Sequence, residues 1–132
     1  MTRPRLAVVL ALAAACACGT APMPDVFAET SGAWRRTAER DVPATQPPDA
    51  IPVQNIERIH VASYEGPGKL EARVYALPSS AAALDVVQRW RPEADTVFFY
   101  SGRFFVVVKW QAADRKALQA FVSELEKKFE RK

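Results

Sequence analysis

The stretch Asp95-Thr-Val-Phe-Phe-Tyr-Ser-Gly-Arg-Phe-Phe-Val-Val-Val-Lys-Trp110 decides the fold. Aromatic and β-branched residues, which favour strands, lie on both sides of Ser101-Gly102, a pair suited to a two-residue turn. The stretch therefore predicts a hairpin with strands at 95–100 and 103–110. Asp114 then caps a helix whose apolar stripe comprises Leu118, Phe121, Val122, Leu125 and Phe129.

The same unit occurs once more upstream. Residues 59–65 and 69–77 alternate like strands around Gly66-Pro67-Gly68, and residues 79–91 have helical spacing behind a serine cap. We therefore expect an α+β fold over residues 55–132, built as a tandem β-β-α repeat. The predicted architecture is a four-stranded antiparallel sheet with both helices on one face, a permuted ferredoxin-like arrangement.

Residues 1–15 have the pattern of a secretory signal peptide. A charged start is followed by ten apolar residues, 6–15, which span about 15 Å as a helix against roughly 30 Å of bilayer core. The segment Leu12-Ala13-Ala14-Ala15-Cys16 resembles the lipobox of bacterial lipoproteins, in which the cysteine is acylated and becomes the new N-terminus. Cys16 is therefore the predicted lipidation site, and the predicted location is the exported side of the cell envelope, in the periplasm or at the outer membrane.

Two alternatives to lipidation stay open: cleavage without lipid, at either of two sites, and no cleavage at all. Cleavage without lipid at Ala13-Ala14-Ala15 would release a chain that starts at Cys16, and cleavage at Ala15-Cys16-Ala17 would release one that starts at Cys18. An uncleaved anchor is the third possibility. The alternative function, a small-ligand-binding or enzymatic domain secreted without lipid, depends on this choice.

Composition excludes several functional classes. The chain has 18 basic and 15 acidic residues, and loss of Arg3 and Arg5 leaves a surplus of one, too small for a nucleic-acid-binding field. Both cysteines lie near the start and His60 is the only histidine, so we expect no metal site. No glycine-rich phosphate loop and no nucleophile–histidine pairing is present in the sequence. We predict no catalytic residues and no cofactor.

Residues 16–54 are predicted to be a lipid-anchored, proline-rich tether. Six of the ten prolines lie between residues 19 and 52, and each restricts the chain to extended conformations. Such a segment would hold the domain away from the membrane. Trp34 interrupts the pattern, and it either docks on the domain or stays mobile for a partner.

One face of the predicted sheet is rich in aromatic and basic side chains. Strand alternation turns Ile59 and Val61 toward the helices together with Leu70, and leaves the other face to eight candidate binding residues. These are Tyr64, Arg73, Tyr75, Phe98, Tyr100, Arg103, Phe105 and Lys109. Four of them, Tyr75, Phe98, Tyr100 and Phe105, together with Val107 exceed what scattered apolar surface residues explain, so we expect this face to have an occupant.

This face has three candidate occupants. The tether with Trp34 covers it, or it is an interface for an envelope protein or a second copy, or it binds a small anionic ligand through Arg73, Arg103 and Lys109. The ligand or enzyme alternative requires a concave pocket lined by Arg73, Tyr75, Arg103 and Phe105.

The run Ile56-Glu-Arg-Ile-His-Val-Ala-Ser-Tyr64, with Leu70-Glu-Ala-Arg-Val-Tyr-Ala-Leu77 and Ser79-Ser-Ala-Ala-Ala-Leu84, resembles a family of uncharacterised bacterial exported proteins and predicted lipoproteins. The resemblance implies export and paired hairpin–helix units, and it adds no catalytic residue. The sequence as a whole predicts a noncatalytic, lipid-anchored envelope protein that binds a protein partner or itself.

Overall fold

A computed structural model describes residues 23–130 of the chain. The elements in chain order are β1 (Thr30–Ser31), β2 (Trp34–Val42), β3 (Arg58–Gly66), β4 (Gly68–Ala76), α1 (Ser80–Arg89), β5 (Thr96–Ser101), β6 (Phe104–Gln111) and α2 (Arg115–Glu130). The strands form one curled antiparallel sheet in the order β1-β2-β3-β4-β6-β5. The fold is thus α+β, as predicted. The predicted signal peptide, residues 1–15, and Cys16 lie outside the described residues.

Both predicted hairpin–helix units are present, and local capping explains where their helices begin. The Ser79 hydroxyl accepts a hydrogen bond from the Ala82 amide at 3.1 Å, at the start of α1. The Asp114 carboxylate accepts one from the Ala117 amide at 2.9 Å, at the start of α2. Each bond satisfies an amide that has no partner within the helix.

The second hairpin pairs two residues away from the predicted register. Ser101 lies opposite Phe104 and Phe99 lies opposite Val106, whereas the sequence predicted Phe99 opposite Phe104. The turn residues are Gly102 and Arg103, and Gly102 takes the left-handed conformation with φ of 58° that glycine tolerates. Because a shift of two residues preserves the direction of every side chain, the predicted faces of these two strands are retained.

The first hairpin is shifted by one residue, which reverses the faces of β3. Gly66 pairs with Gly68, so Pro67 alone connects the strands, and Tyr64 lies opposite Leu70. Gly68 has φ of 131°, and a Cβ there would lie 2.6 Å from the Ala112 carbonyl oxygen, so the turn needs glycine. The prediction that Ile59 and Val61 share a face with Leu70 is therefore wrong.

The two helices lie on opposite faces of the sheet, not on one face as predicted. The α2 residues Leu118, Phe121 and Leu125 share a core with Ala72, Val74, Val106 and Val108. The α1 residues Ala83 and Val86 share a second core with Tyr75, Phe105 and Val107. Neighbouring strand residues point to opposite faces, so a sheet that is apolar on both faces requires a cover on each.

The sheet has six strands rather than the predicted four, because residues 30–42 belong to it. Trp34 opens β2 and is 1% exposed, so of the two alternatives left open for this residue, docking on the domain is the one that the structure has. Its indole N–H donates to the Ala117 carbonyl of α2 at 3.0 Å, and its ring meets the Phe121 ring edge-on. The folded unit therefore includes much of the segment 16–54 that the sequence predicted to be a tether, and it begins well before residue 55.

The segment between β2 and β3, residues 43–57, crosses the face that α1 partly covers; we name it the strap. Ile51 is buried in the same core as Ile59, Tyr75 and Leu77. The strap is a series of turns, with the Gln46 amide donating to the Pro43 carbonyl at 2.9 Å, and the burial of Ile51 holds it against the sheet. The strap and α1 together cover most of this face.

Candidate functional site

The predicted binding face is largely an internal surface. Tyr75 and Phe105 have no exposed area. Phe98 is half-buried, with its ring 5.4 Å from the ring of Trp90 at the end of α1 and 5.7 Å from that of Phe105. The excess of aromatic side chains on this face is therefore explained by a second hydrophobic core, which α1 completes.

Arg73 and Tyr75 hold the strap through a buried carboxylate, Asp49. The Arg73 guanidinium donates to Asp49 Oδ1 at 2.7 Å, and the Tyr75 hydroxyl donates to Asp49 Oδ2 at 2.6 Å. The Asp49 amide in turn donates to the Tyr75 hydroxyl oxygen at 3.1 Å. Burial, reinforced by the bond to Asp49, raises the pKa of the Tyr75 phenol well above its usual range, so the phenol stays a proton donor.

This network uses its polar atoms internally. Asp49 is 7% exposed, and Arg73 also donates to Glu71 at 2.6 Å and 3.0 Å from two of its nitrogens. A buried carboxylate needs such partners, because an unpaired charge in a protein interior is costly. We interpret Asp49 as the residue that holds the strap in place. The sequence offered no signal for it, since it lies among prolines far from either partner.

The remaining members of the predicted face are dispersed. Tyr64 lies on the opposite face, where its hydroxyl donates to the Ala28 carbonyl at 2.6 Å and burial raises its pKa to about 12. Arg103 donates to the Leu77 carbonyl at 2.9 Å and pairs with Glu57 of the strap. Lys109 pairs with Glu93 at 3.1 Å. Tyr100 alone among the eight is strongly exposed, at 39%.

The pocket required by the ligand alternative is not formed by its four residues. Arg73 borders a groove of about 510 Å³ at the uncovered end of the α1 face, and Arg103 borders a different cavity beside the β5–β6 turn. Tyr75 and Phe105 are buried between them. Both arginines are engaged with carboxylates, so neither presents an unpaired cation to an anionic ligand.

His60 lies in a second polar cluster, on the α2 face. Its Nδ1 is 2.8 Å from Asp41 Oδ1 and its Nε2 is 2.7 Å from Glu39 Oε2, both on β2. The ring stacks on Phe27 with centroids 5.6 Å apart. Carboxylates only accept hydrogen bonds, so this geometry is satisfied when both ring nitrogens donate. The cluster joins β2, β3 and the segment 23–29, which we name the arm.

The two long sides of the sheet differ in how they are protected from pairing with another strand. On one side, β2 carries five charged residues, a register shift between Arg36 and Ala38, and partial cover by β1. Such features prevent unwanted strand addition. On the other side, β5 is the terminal strand, and its sequence Thr-Val-Phe-Phe-Tyr-Ser has no charge and no proline. Among residues 23–130 it pairs with β6 alone.

The backbone of β5 presents unpaired groups at this edge. The Trp110 amide donates to the Asp95 carbonyl at 3.1 Å, and these residues stand directly opposite in the β5–β6 register. Hydrogen-bonded and non-hydrogen-bonded pairs alternate along an antiparallel ladder, so Val97 and Phe99 also bond to β6. The N–H and C=O groups of Thr96, Phe98 and Tyr100 therefore point away from the sheet.

An apolar groove runs beside the same edge. It has a volume of about 340 Å³ and lies between α2 and the outer strands, lined among others by Val97, Trp110, Leu118 and Val122. The open edge of β5 and this groove form one surface, which we name the β5 edge. Sequence reasoning selected Phe98 and Tyr100 of this surface for their side chains, and missed the backbone groups because it did not place β5 at the end of the sheet.

Comparison of the chain with family models, curated proteins and solved structures finds no match. Within residues 23–130, neither helix is long and apolar enough to cross a membrane. No group of three histidine, cysteine or acidic side chains that could hold a metal ion is found in that range. The family resemblance of residues 56–90 remains a prediction.

Proposed function

We propose that this chain is a noncatalytic, lipid-anchored protein of the bacterial cell envelope, and that its folded part binds another protein strand along the β5 edge. The observation that carries the proposal is the contrast between the two sides of the sheet. One side has charges, a register shift and a covering strand, whereas the uncharged β5 has none of these and lies beside an apolar groove. An exposed, uncharged, aromatic edge strand is a template for pairing with another strand.

The binding mode follows from the groups that the edge offers. An added strand bonds to the outward N–H and C=O groups of Thr96, Phe98 and Tyr100, and its side chains contact the apolar groove. Main-chain bonds supply affinity in this mode, and side-chain contacts supply selectivity. We thus keep the prediction of a binding function, but we propose the edge of the sheet as the binding surface instead of its face.

The lipid anchor is supported by the sequence around Cys16. The position of the arm limits how far the folded domain can lie from that cysteine. Met23 follows Cys16 by seven positions, and an extended chain of that length spans at most about 25 Å. Val26 and Phe27 of the arm are buried in the α2 core. An anchor at Cys16 would therefore hold the domain beside the membrane, where its partners are envelope proteins or other anchored copies.

A noncatalytic role agrees with how these polar groups are used. Arg73 and Tyr75 both bond to Asp49, and the partly exposed His60 bonds to two carboxylates. General acid–base or nucleophilic catalysis needs such groups directed at a substrate. Here they join the strap and the arm to the sheet.

Photo-crosslinking in the expressing bacterium tests the proposal. A benzophenone amino acid placed at Tyr100 of the full chain is expected to give a discrete crosslinked species in the membrane fraction. The same probe at Leu84 is the matched control, because Leu84 is 40% exposed on α1 and lies outside the β5 edge. We expect no discrete species from that position. Equal crosslinking from both positions, or none from Tyr100, would contradict binding at this edge.

The same cells test the anchor. Cys16→Ala should move the protein out of the membrane fraction and remove a diacylglycerol-sized addition from its mass. Cys18→Ala is the matched control and should leave both unchanged. If the wild type is soluble and unmodified, the anchor is refuted, and a secreted binding domain takes its place.

A further inference from the structure

We propose that the strand added at the β5 edge is the β5 of a second copy of this chain, in an antiparallel pair centred on Phe98. This inference rests on the proposed function and names its partner. Antiparallel pairing of a strand with itself is a closed twofold arrangement, in which the same patch serves on both molecules. It joins the two six-stranded sheets into one continuous sheet.

The outward backbone groups of β5 fit this register. With Phe98 opposite its counterpart, Thr96 of one copy lies opposite Tyr100 of the other. These are the three residues whose N–H and C=O groups point away from β6. Every outward group then has a partner, giving about six hydrogen bonds across the pair. A shift of one residue would place outward groups opposite inward ones.

The side chains fit as well. On the α1 face, Phe98 meets Phe98 of the other copy and Tyr100 meets Thr96, and on the α2 face Val97 meets Phe99. Aromatic and β-branched cross-strand neighbours of this kind stabilise antiparallel pairs. Since β5 has no charged residue, its pairing with itself places no like charges opposite each other within the strand. The β2 strand differs in this respect, because five of its nine residues are charged.

The charges beyond the two ends of β5 are complementary in the same register. Glu93 and Asp95 precede the strand, and Arg103 follows it. In an antiparallel pair centred on Phe98, the end that carries Arg103 in one copy lies beside the end that carries Glu93 in the other, twice by symmetry, and Arg103 contributes there as a nearby positive charge while it keeps its pair with Glu57. Glu93 is 84% exposed in its side chain and bonds only to Lys109 among the described residues. A parallel pair would instead place the acidic ends together.

Sedimentation of the purified full chain, in detergent if it is lipidated, tests this inference. We expect a dimer that dissociates on dilution. Tyr100→Pro removes an outward N–H that the β6 ladder does not use, so it should leave the melting temperature near the wild-type value and weaken dimerisation roughly a hundredfold. Tyr100→Thr is the matched control; it keeps the N–H, and should weaken dimerisation less than tenfold. Thr96→Pro repeats the test at the other end of the strand should Tyr100→Pro fail to fold.

The outcomes separate this inference from the proposed function. A chain that is monomeric at all concentrations, but crosslinks from Tyr100 to a different envelope protein, overturns the second copy as partner and leaves the β5 edge as a binding site. A dimer that persists in both proline variants overturns pairing through β5. A monomer without any crosslink from Tyr100 overturns both proposals.

Discussion

Replacing Trp34 with alanine is expected to lower the free energy of unfolding by about 3–5 kcal/mol, the range for large aromatic residues removed from a core. The ring is 1% exposed and contacts Phe121, and the indole N–H bonds to the Ala117 carbonyl at 3.0 Å. The substitution therefore removes the contact that joins β2 to α2. Thermal unfolding should show a fall in Tm of roughly 10–20 °C, since about 1 kcal/mol shifts a domain of this size by several degrees.

Trp34→Phe is the control for this variant. It keeps an aromatic ring in the core and removes the bond to Ala117, so we expect a loss of about 1–2 kcal/mol. If residues 30–42 were a free tether, a substitution at Trp34 would leave the unfolding curve unchanged. An unchanged Tm in Trp34→Ala would therefore show that residues 30–42 are not part of the cooperative fold.

The second large effect is expected at Asp49. Asp49→Ala removes the acceptor that Arg73 and the buried Tyr75 hydroxyl share; Glu71 still pairs with Arg73, so we expect a loss of about 2–3 kcal/mol, chiefly from the Tyr75 hydroxyl left without an acceptor. The strap should also loosen near Ile51, because Asp49 bonds this part of it to Arg73 and Tyr75 of the sheet, whereas the Glu57–Arg103 pair lies at its far end. Limited proteolysis with an enzyme that cuts beside apolar residues should then cleave near Ile51, a site buried in the intact protein.

Glu71→Gln provides the matched control, because Glu71 is the other carboxylate bonded to Arg73. Its side chain is 28% exposed, so we expect a loss below about 1 kcal/mol and no new cleavage in the strap. Equal effects of the two substitutions would mean that Asp49 is not the residue that secures the strap.

The hairpin–helix units could be predicted from sequence because their signals are local. Ser79 and Asp114 cap helices through bonds to amides three residues away, and the alternation in 95–110 marks two strands. Side-chain direction was harder to predict. A turn shortened to Pro67 moved β3 by one residue and reversed its faces, whereas a two-residue shift in the second hairpin changed no face.

The remainder of the fold depends on contacts between distant residues. The many charged residues of β2 do not resemble a strand pattern, and Trp34 holds this strand to the domain through contacts with α2. Asp49 bonds to Arg73 and Tyr75 only because the strap crosses them in the folded chain. The aromatic excess at Tyr75, Phe98 and Phe105 correctly indicated a face that requires a cover. Local sequence could not tell that α1 and the strap provide most of it. The β5 edge depends on strand order, which no local pattern encodes.

Strand pairing at the β5 edge is tested by residue-resolved amide hydrogen exchange of the full chain, followed from high to low protein concentration. We expect the amides of Val97, Phe99 and Ser101 to be protected at every concentration, since they bond to β6. The amides of Thr96, Phe98 and Tyr100 should be protected only where the chain is associated, and should exchange rapidly on dilution. Rapid exchange of these three amides in the associated protein would contradict strand pairing at the β5 edge.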